Sequence, residues 1–266
     1  MKWIIITLVS VISLMLSGAA MAADLDKKSA GEFALYAMMA SNAYMKPERT
    51  YFPIEDLGWI RVDQDGNPTA GNSYTPSWIG RIFSNMQYDI WVNEKEQFTV
   101  ISFKGTDEKI DWVDGNFALG ISIPYKSAKK HVRNYMKKHP NRKVVVTGHS
   151  LGGGMALSVS LWEGVDAYVF NSSPRVFDGL KNHAAPAVRK AVYQEGDILQ
   201  KIRRVYPKFL ETVPEKDVIR TDFKYTENES NHRGDLIAEG ILRCTTDDPE
   251  LVKIANKIPV KVKCNF

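Results

Sequence analysis

The chain has 266 residues, of which 44% are hydrophobic and 25% charged, with 35 Lys and Arg against 31 Asp and Glu for a formal net charge of +4. That composition is ordinary for a folded protein and excludes disordered and fibrous classes. The charge is too mild to imply nucleic acid as a partner, and the length suits one α/β domain with a sizeable core.

In chain order, Lys2, the apolar run Trp3 to Leu16 and the small residues Ala20-Met21-Ala22 predict a secretory signal over residues 1–22, cut after Ala22 or Ala23. The run falls short of the about 20 residues a membrane span needs, with an uncleaved anchor as the alternative. No cysteine follows it to carry a lipid. The expected location is periplasmic or extracellular, and residues 23–266 are expected to form a single domain.

Ala30 to Met45 places Phe33, Leu35, Tyr36, Met38, Met39 and Tyr44 among small residues and predicts a buried helix ending before Pro47. Asp63-Gln-Asp-Gly-Asn67 is a weak match to a calcium loop, because its glycine arrives two positions too early; turn chemistry reads it as a β-turn. Met86 to Val92 and Phe98 to Phe103 predict two strands joined through Asn93-Glu-Lys-Glu96, a hairpin. After Lys104-Gly105-Thr106 a partly apolar stretch runs to Tyr125. Lys126 to His139 is a basic helix with Ala128, Val132, Tyr135 and Met136 on one face. Its Lys129, Lys130, Arg133, Lys137 and Lys138 read as a solvated face, with contact to an anionic membrane as the alternative.

The most specific stretch comes next. Val144 to Thr147 is a β-branched, buried-type strand that runs into Gly148-His149-Ser150-Leu151-Gly152, a G-x-S-x-G pentapeptide, followed by the helix-compatible Met155 to Trp162. This is the context of a nucleophile elbow, a tight turn that holds a serine Oγ clear of the backbone. Side chains at Gly148 and Gly152 would collide with the neighbouring strand and helix. The helix start directs the N–H of Leu151 toward the place where an oxyanion would form.

Ala167 to Phe170 and Val188 to Tyr193 add further strands. Strands alternating with helices predict a mostly parallel sheet flanked by helices, with catalytic groups gathered at the C-terminal ends of its strands.

A serine hydroxyl needs a histidine to take its proton and a carboxylate to orient that histidine. In elbow hydrolases the chain order is Ser, acid, His. Asp197 lies just past the strand Val188 to Tyr193, whereas Asp166 sits at the wrong end of its strand; Asp178 is the second choice. His183 comes too early once Asp197 is the acid, which leaves His232, in the polar loop Thr226 to His232 before the apolar segment Leu236 to Leu242. Thr106, after the strand ending at Phe103, is the candidate second oxyanion donor, through its N–H and hydroxyl. Cys244 and Cys264, the only cysteines, are expected to form a disulfide in an oxidising compartment, with two free thiols as the alternative. No H-E-x-x-H or paired Cys-x-x-Cys is present, so neither a metal nor another cofactor is expected.

Four blocks together resemble the class 3 lipases, the group that includes the fungal triacylglycerol lipases. They are Ile101-Ser-Phe-Lys-Gly-Thr106 with Asp111-Trp112, Val146-Thr-Gly-His-Ser-Leu-Gly-Gly153, Phe170-Asn-Ser-Ser-Pro-Arg-Val176, and Val192-Tyr-Gln-Glu-Gly-Asp197. Their order and spacing cover roughly Gly31 to Leu242. The resemblance implies an α/β-hydrolase fold, a Ser150, Asp197 and His232 triad, and an oxyanion hole from Thr106 and Leu151. It also implies a lid after Thr106, with Ile110, Trp112, Val113 and Phe117 as its apolar residues; a fixed loop packed on the body is the alternative.

The expected activity is that of a secreted serine carboxyl-ester hydrolase acting on lipid esters in the manner of a triacylglycerol lipase, through an acyl-enzyme on Ser150. Phospholipase A1 or lysophospholipase activity is the nearest alternative, and a serine peptidase a remoter one. A non-catalytic lipid-binding or interaction protein on the same fold is the rival of another class. The expected partners are a lipid ester substrate and, transiently, a membrane or lipid interface.

Overall fold

The computed structural model describes residues 23–78, 86–105, 123–176, 185–226 and 229–264. Eight of its strands form one sheet: β1 (Ala23–Asp24), β2 (Ile60–Val62), β3 (Tyr88–Asn93), β4 (Phe98–Phe103), β5 (Lys143–His149), β6 (Asp166–Phe170), β7 (Arg189–Gln194) and β8 (Val218–Thr221). Their spatial order is β1-β8-β7-β6-β5-β4-β3-β2. The hairpin β3–β4 and the pair β2–β3 are antiparallel, and every other pairing is parallel.

Successive parallel strands from β4 to β8 step in one direction across the sheet, so each must be reached by a crossover. The connections supply the helices: α2 (Ile123–Lys138) before β5, α3 (Leu151–Glu163) before β6, and the short α4 (Gln200–Arg203) and α5 (Pro207–Thr212) before β8. The remaining helices are α1 (Lys27–Asn42), α6 (Gly234–Arg243) and α7 (Pro249–Lys257); β9 (Lys224–Tyr225) and β10 (Val262–Lys263) pair as a small second sheet.

Side chains on a strand alternate between faces, and both faces here are covered. Val100, Phe170 and Val192 point into a cluster with Phe33 and Met38 of α1, Leu236 and Ile241 of α6, and Ile254 of α7. Ile101, Val144, Val146, Val169 and Ala191 point the other way, into a cluster with Ala128 and Val132 of α2 and Met155 and Val159 of α3. Helices on both faces of a mostly parallel sheet, with an elbow between β5 and α3, make this an α/β-hydrolase fold.

The long elements fall where the sequence places them, within about a turn at each end. Helix α1 starts earlier than its apolar run because Asp26 caps it, accepting from Ser29 N at 2.7 Å. On α2, Arg133 forms a two-pronged pair with Glu163 at 3.0 and 2.8 Å, and the Lys129 amine sits 4.5 Å over the Trp162 ring. Lys138 pairs with Asp65 of the turn after β2 at 3.4 Å. Asp166 is at the start of β6, where it accepts from Val188 N at 2.9 Å. Asp63 accepts from the backbone of Asp65 and Asn67, each at 2.9 Å, and so closes the turn read from its sequence.

The C-terminal segment is tied down by bonds. Cys244, at the end of α6, is disulfide-bonded to Cys264 with a Cα separation of 5.2 Å. Buried Glu239 accepts from Lys261 N at 2.8 Å and Val262 N at 3.1 Å while pairing with Arg243. Among the described residues no helix is long and apolar enough to cross a membrane.

Candidate active site

Strand β5 ends at His149 and α3 begins at Leu151, so the whole change of direction falls on Ser150, at φ 57°, ψ −129°. A non-glycine residue at positive φ is held there only when its surroundings over-determine it. They do: Ser150 N donates to Phe170 O at 3.2 Å, and Ser150 O accepts from Gly153 N at 3.0 Å and Ser173 N at 2.9 Å. The turn is also too tight for side chains on either flank. A Cβ on Gly152 would lie 2.1 Å from the Phe103 carbonyl oxygen, and one on Gly148 would lie 2.4 Å from the backbone of Gly152.

His232 Nε2 lies 2.8 Å from Ser150 Oγ, and His232 Nδ1 lies 2.5 Å from Asp197 Oδ1. The three residues come from three C-terminal strand ends or following loops: the elbow after β5, the turn after β7, and the loop before α6. The Asp197 side chain is fully buried. A hydroxyl bonded to an imidazole whose far nitrogen faces a buried carboxylate is arranged for acyl transfer.

The loops that carry the histidine and the acid are linked. Asn171, at φ 40° in the left-handed region that asparagine tolerates, donates to Asn231 O at 3.0 Å and accepts from Gln194 N at 2.9 Å. Asn231 in turn donates to Glu195 O at 2.9 Å. Arg233, just after the histidine, pairs with Glu229 and with buried Asp235, which also accepts from Thr50 N at 3.2 Å.

Two further side chains reach the site without having been legible in the sequence. Arg203, buried at the end of α4, pairs with the free oxygen of Asp197. His149 packs its ring 4.9 Å from that of His232, and its Nδ1 shares a 2.8 Å hydrogen bond with the Tyr44 hydroxyl. Burial, and secondarily the charge on His232, hold His149 well below the ordinary histidine range, so it is neutral near pH 7.

The N–H of Leu151, first in α3, has no hydrogen-bond partner among the described residues, and Lys104-Gly105 lies on the other side of the serine. A Cβ on Gly105 would lie 2.4 Å from the Tyr44 hydroxyl and 3.1 Å from Ser150 Cβ, so the chain there passes directly over the serine. Thr106, the lid residues Ile110, Trp112, Val113 and Phe117, and the second choices Asp178 and His183 lie outside the described residues. Among the described residues no group of His, Cys, Asp and Glu is placed to hold a metal ion.

A family model described as phospholipase-like, the Tle-like phospholipase domain, matches residues 35–220. The chain belongs to this lipase-like family. It is a lipid ester hydrolase. The match runs from α1 through β8 and takes in the serine and the aspartate of the site, while His232 lies beyond its end. No curated protein matches the sequence significantly. Similar solved structures include the Lip2 lipase from Yarrowia lipolytica, at 14% identity over 70% of this chain and 77% of that one with a TM-score of 0.44. The lipase from Rhizopus microsporus var. chinensis is similar at 17% identity over 73% and 76% of the two chains, TM-score 0.46. Rhizomucor miehei lipase in its propeptide complex is similar at 15% identity over 72% and 70%, TM-score 0.45.

Proposed function

We propose that Ser150 is the nucleophile of a two-step acyl transfer, with His232 as general base and Asp197 as the acid that orients it. The observation that carries this is the unbroken line from Ser150 Oγ to His232 at 2.8 Å and from His232 to Asp197 at 2.5 Å. Ser150 Oγ attacks the ester carbonyl as its proton passes to His232 Nε2. Asp197 stabilises the imidazolium and fixes its tautomer. Collapse of the tetrahedral intermediate expels the alcohol, protonated by His232, and leaves an acyl-serine that water hydrolyses through the same imidazole. The oxyanion takes a hydrogen bond from Leu151 N–H, and the sequence assigns the second donor to Thr106; each such donor is worth about 3 kcal/mol in the transition state.

The substrate class is a phospholipid, cleaved at an acyl ester as by a phospholipase A1 or lysophospholipase. The family description favours it over triacylglycerol. The protein is exported, as Lys2 with the apolar run Trp3 to Leu16 and the Cys244–Cys264 disulfide both suggest, and residues 23–266 act as one domain.

The test is incubation of the mature protein with mixed phosphatidylglycerol, phosphatidylethanolamine, lysophospholipid and triacylglycerol, with products identified by mass. Free fatty acid with lysophospholipid or glycerophosphodiester is expected, and Ser150→Ala should release none. His232→Ala should lose about three to four orders of magnitude in kcat. Release from triacylglycerol alone would move the substrate to neutral lipid. No release by any lipid would favour a binding protein on a hydrolase scaffold.

A further inference from the structure

Asp197 has two carboxylate oxygens, and His232 uses one. A buried carboxylate must have its other oxygen satisfied or its charged form becomes costly. Arg203 meets that need. Its guanidinium donates to Asp197 Oδ2, and both side chains are nearly inaccessible, at 5% and 0% exposure. A second guanidinium nitrogen donates to the Ser172 carbonyl at 2.9 Å, and the guanidinium carbon lies 4.0 Å from the centroid of the Tyr193 ring. The neighbouring Arg204 is exposed, so burial of Arg203 is particular to that position.

These contacts join the segments after β6 and β7 and, through Ser173, the elbow after β5. Ser172 belongs to the loop after β6, whose next residue, Ser173, donates its N–H to Ser150 O at 2.9 Å. Tyr193 belongs to β7, which delivers Asp197. One planar group thus fixes the acid against the loop that buttresses the nucleophile. Lysine has the charge but neither the fork nor the flat face, so it cannot hold both oxygens and the ring at once.

We infer that Arg203 is a positioning residue of the triad: it acts through Asp197 by holding the carboxylate in register with Ser150 and by sharing its negative charge. The inference rests on the triad proposed above. Removing the guanidinium leaves the Asp197 charge facing His232 alone, so the acidic limb of the rate profile separates this role from a merely structural one. The titratable and charged groups around the pair include His232 and His149 from their loops, Tyr193 from β7 and Tyr225 from β9, with Glu215 before β8, Arg233 and Asp235 at the start of α6, and Arg49 behind them. Burial pushes the Tyr193 hydroxyl up to about 12 and raises Tyr225 as well, so both stay neutral. His149 is neutral for the reason already given. Arg203 is the guanidinium in direct contact with Asp197.

The test is the pH profile of kcat/KM on a soluble short-chain ester for wild type, Arg203→Gln and Arg203→Lys. Arg203→Gln should lose roughly 100-fold, the scale of a misplacement of about 1 Å, and its acidic limb should move to higher pH. Arg203→Lys should lose activity with its acidic limb unmoved, because the charge is retained. In an Asp197→Asn background Arg203→Gln should cost little more, since the group it acts through is already neutral. An unmoved limb in Arg203→Gln, or full additivity with Asp197→Asn, overturns the inference and leaves Arg203 as a structural strut. If Arg203→Gln does not fold, a shifted limb in Arg203→Lys or its full activity does the same. The parent reading fails separately, by Ser150→Ala or Asp197→Asn retaining wild-type activity.

Discussion

His149 stands one residue before the proposed nucleophile, yet it is a neutral buttress and no proton carrier. Its ring is buried between Tyr44 and His232, and a Cβ on Gly234 would lie 3.0 Å from it, so the first turn of α6 is also packed against it. Because its folded-state affinity for a proton is depressed, the unfolded chain binds the proton more readily. The stability His149 contributes is therefore complete above the ordinary histidine value of 6.5 and is lost as pH falls below it. Thermal melts from about pH 7.5 to about pH 5.5 should show a steeper fall in Tm for wild type than for His149→Gln; parallel curves would mean that His149 is not the buried neutral group. Residue-level legibility divides along the same line. Ser150 announces itself through a local pentapeptide, and Asp197 and His232 through chain order and position. Arg203 and Tyr44 act across loops far apart in sequence, and nothing in their immediate neighbours marks them.

The segment from the acid to β8 is the element whose form the sequence disclosed least. Helices α4 and α5 are one to two turns long, the second opening at Pro207, too short to carry an apolar period. Their outward residues are nonetheless distinctive. Ile198, Val205, Tyr206 and Leu210 are exposed, Val205 by 72%, beside exposed Lys201 and Arg204. This apolar surface lies next to the acid of the site, with exposed Lys201, Arg204 and Glu211 around it, and it is where the proposed contact with a lipid surface is tested. Val205→Asp with Leu210→Asp should weaken sedimentation with phosphatidylglycerol vesicles and slow vesicle hydrolysis, while leaving a soluble short-chain ester unaffected. Equal loss on both substrates would indicate damage to the site and no role in docking. The edge strands β1 and β2 and their short neighbour β8 were equally hidden, since runs of two to four residues have no alternation to read. By contrast β4 and β5 each carry long β-branched runs, and the elbow between β5 and α3 has glycine at every position where the packing excludes a side chain.

At the scale of the whole molecule, the proposed catalytic line spans β5, β7 and the approach to α6, and α6 is anchored from behind by the Cys244–Cys264 disulfide. That bond closes a loop with a sequence separation of 20. Its loss should cost about 3 kcal/mol, a Tm decrease of about 6–12 °C for a domain of this size. Both cysteines should resist iodoacetamide until reduced, and immediate modification would show free thiols. Because α6 follows directly on the histidine loop, Cys244→Ala with Cys264→Ala should also lower activity on heating before wild type does. The central claim is that Ser150 is a nucleophile activated by His232, and covalent labelling with a fluorophosphonate, mapped by peptide mass, tests it most directly. Wild type should carry one adduct on Ser150, His232→Ala should label far more slowly, and Ser150→Ala should not label at all. An adduct on another residue, or equal labelling of wild type and Ser150→Ala, would contradict the account.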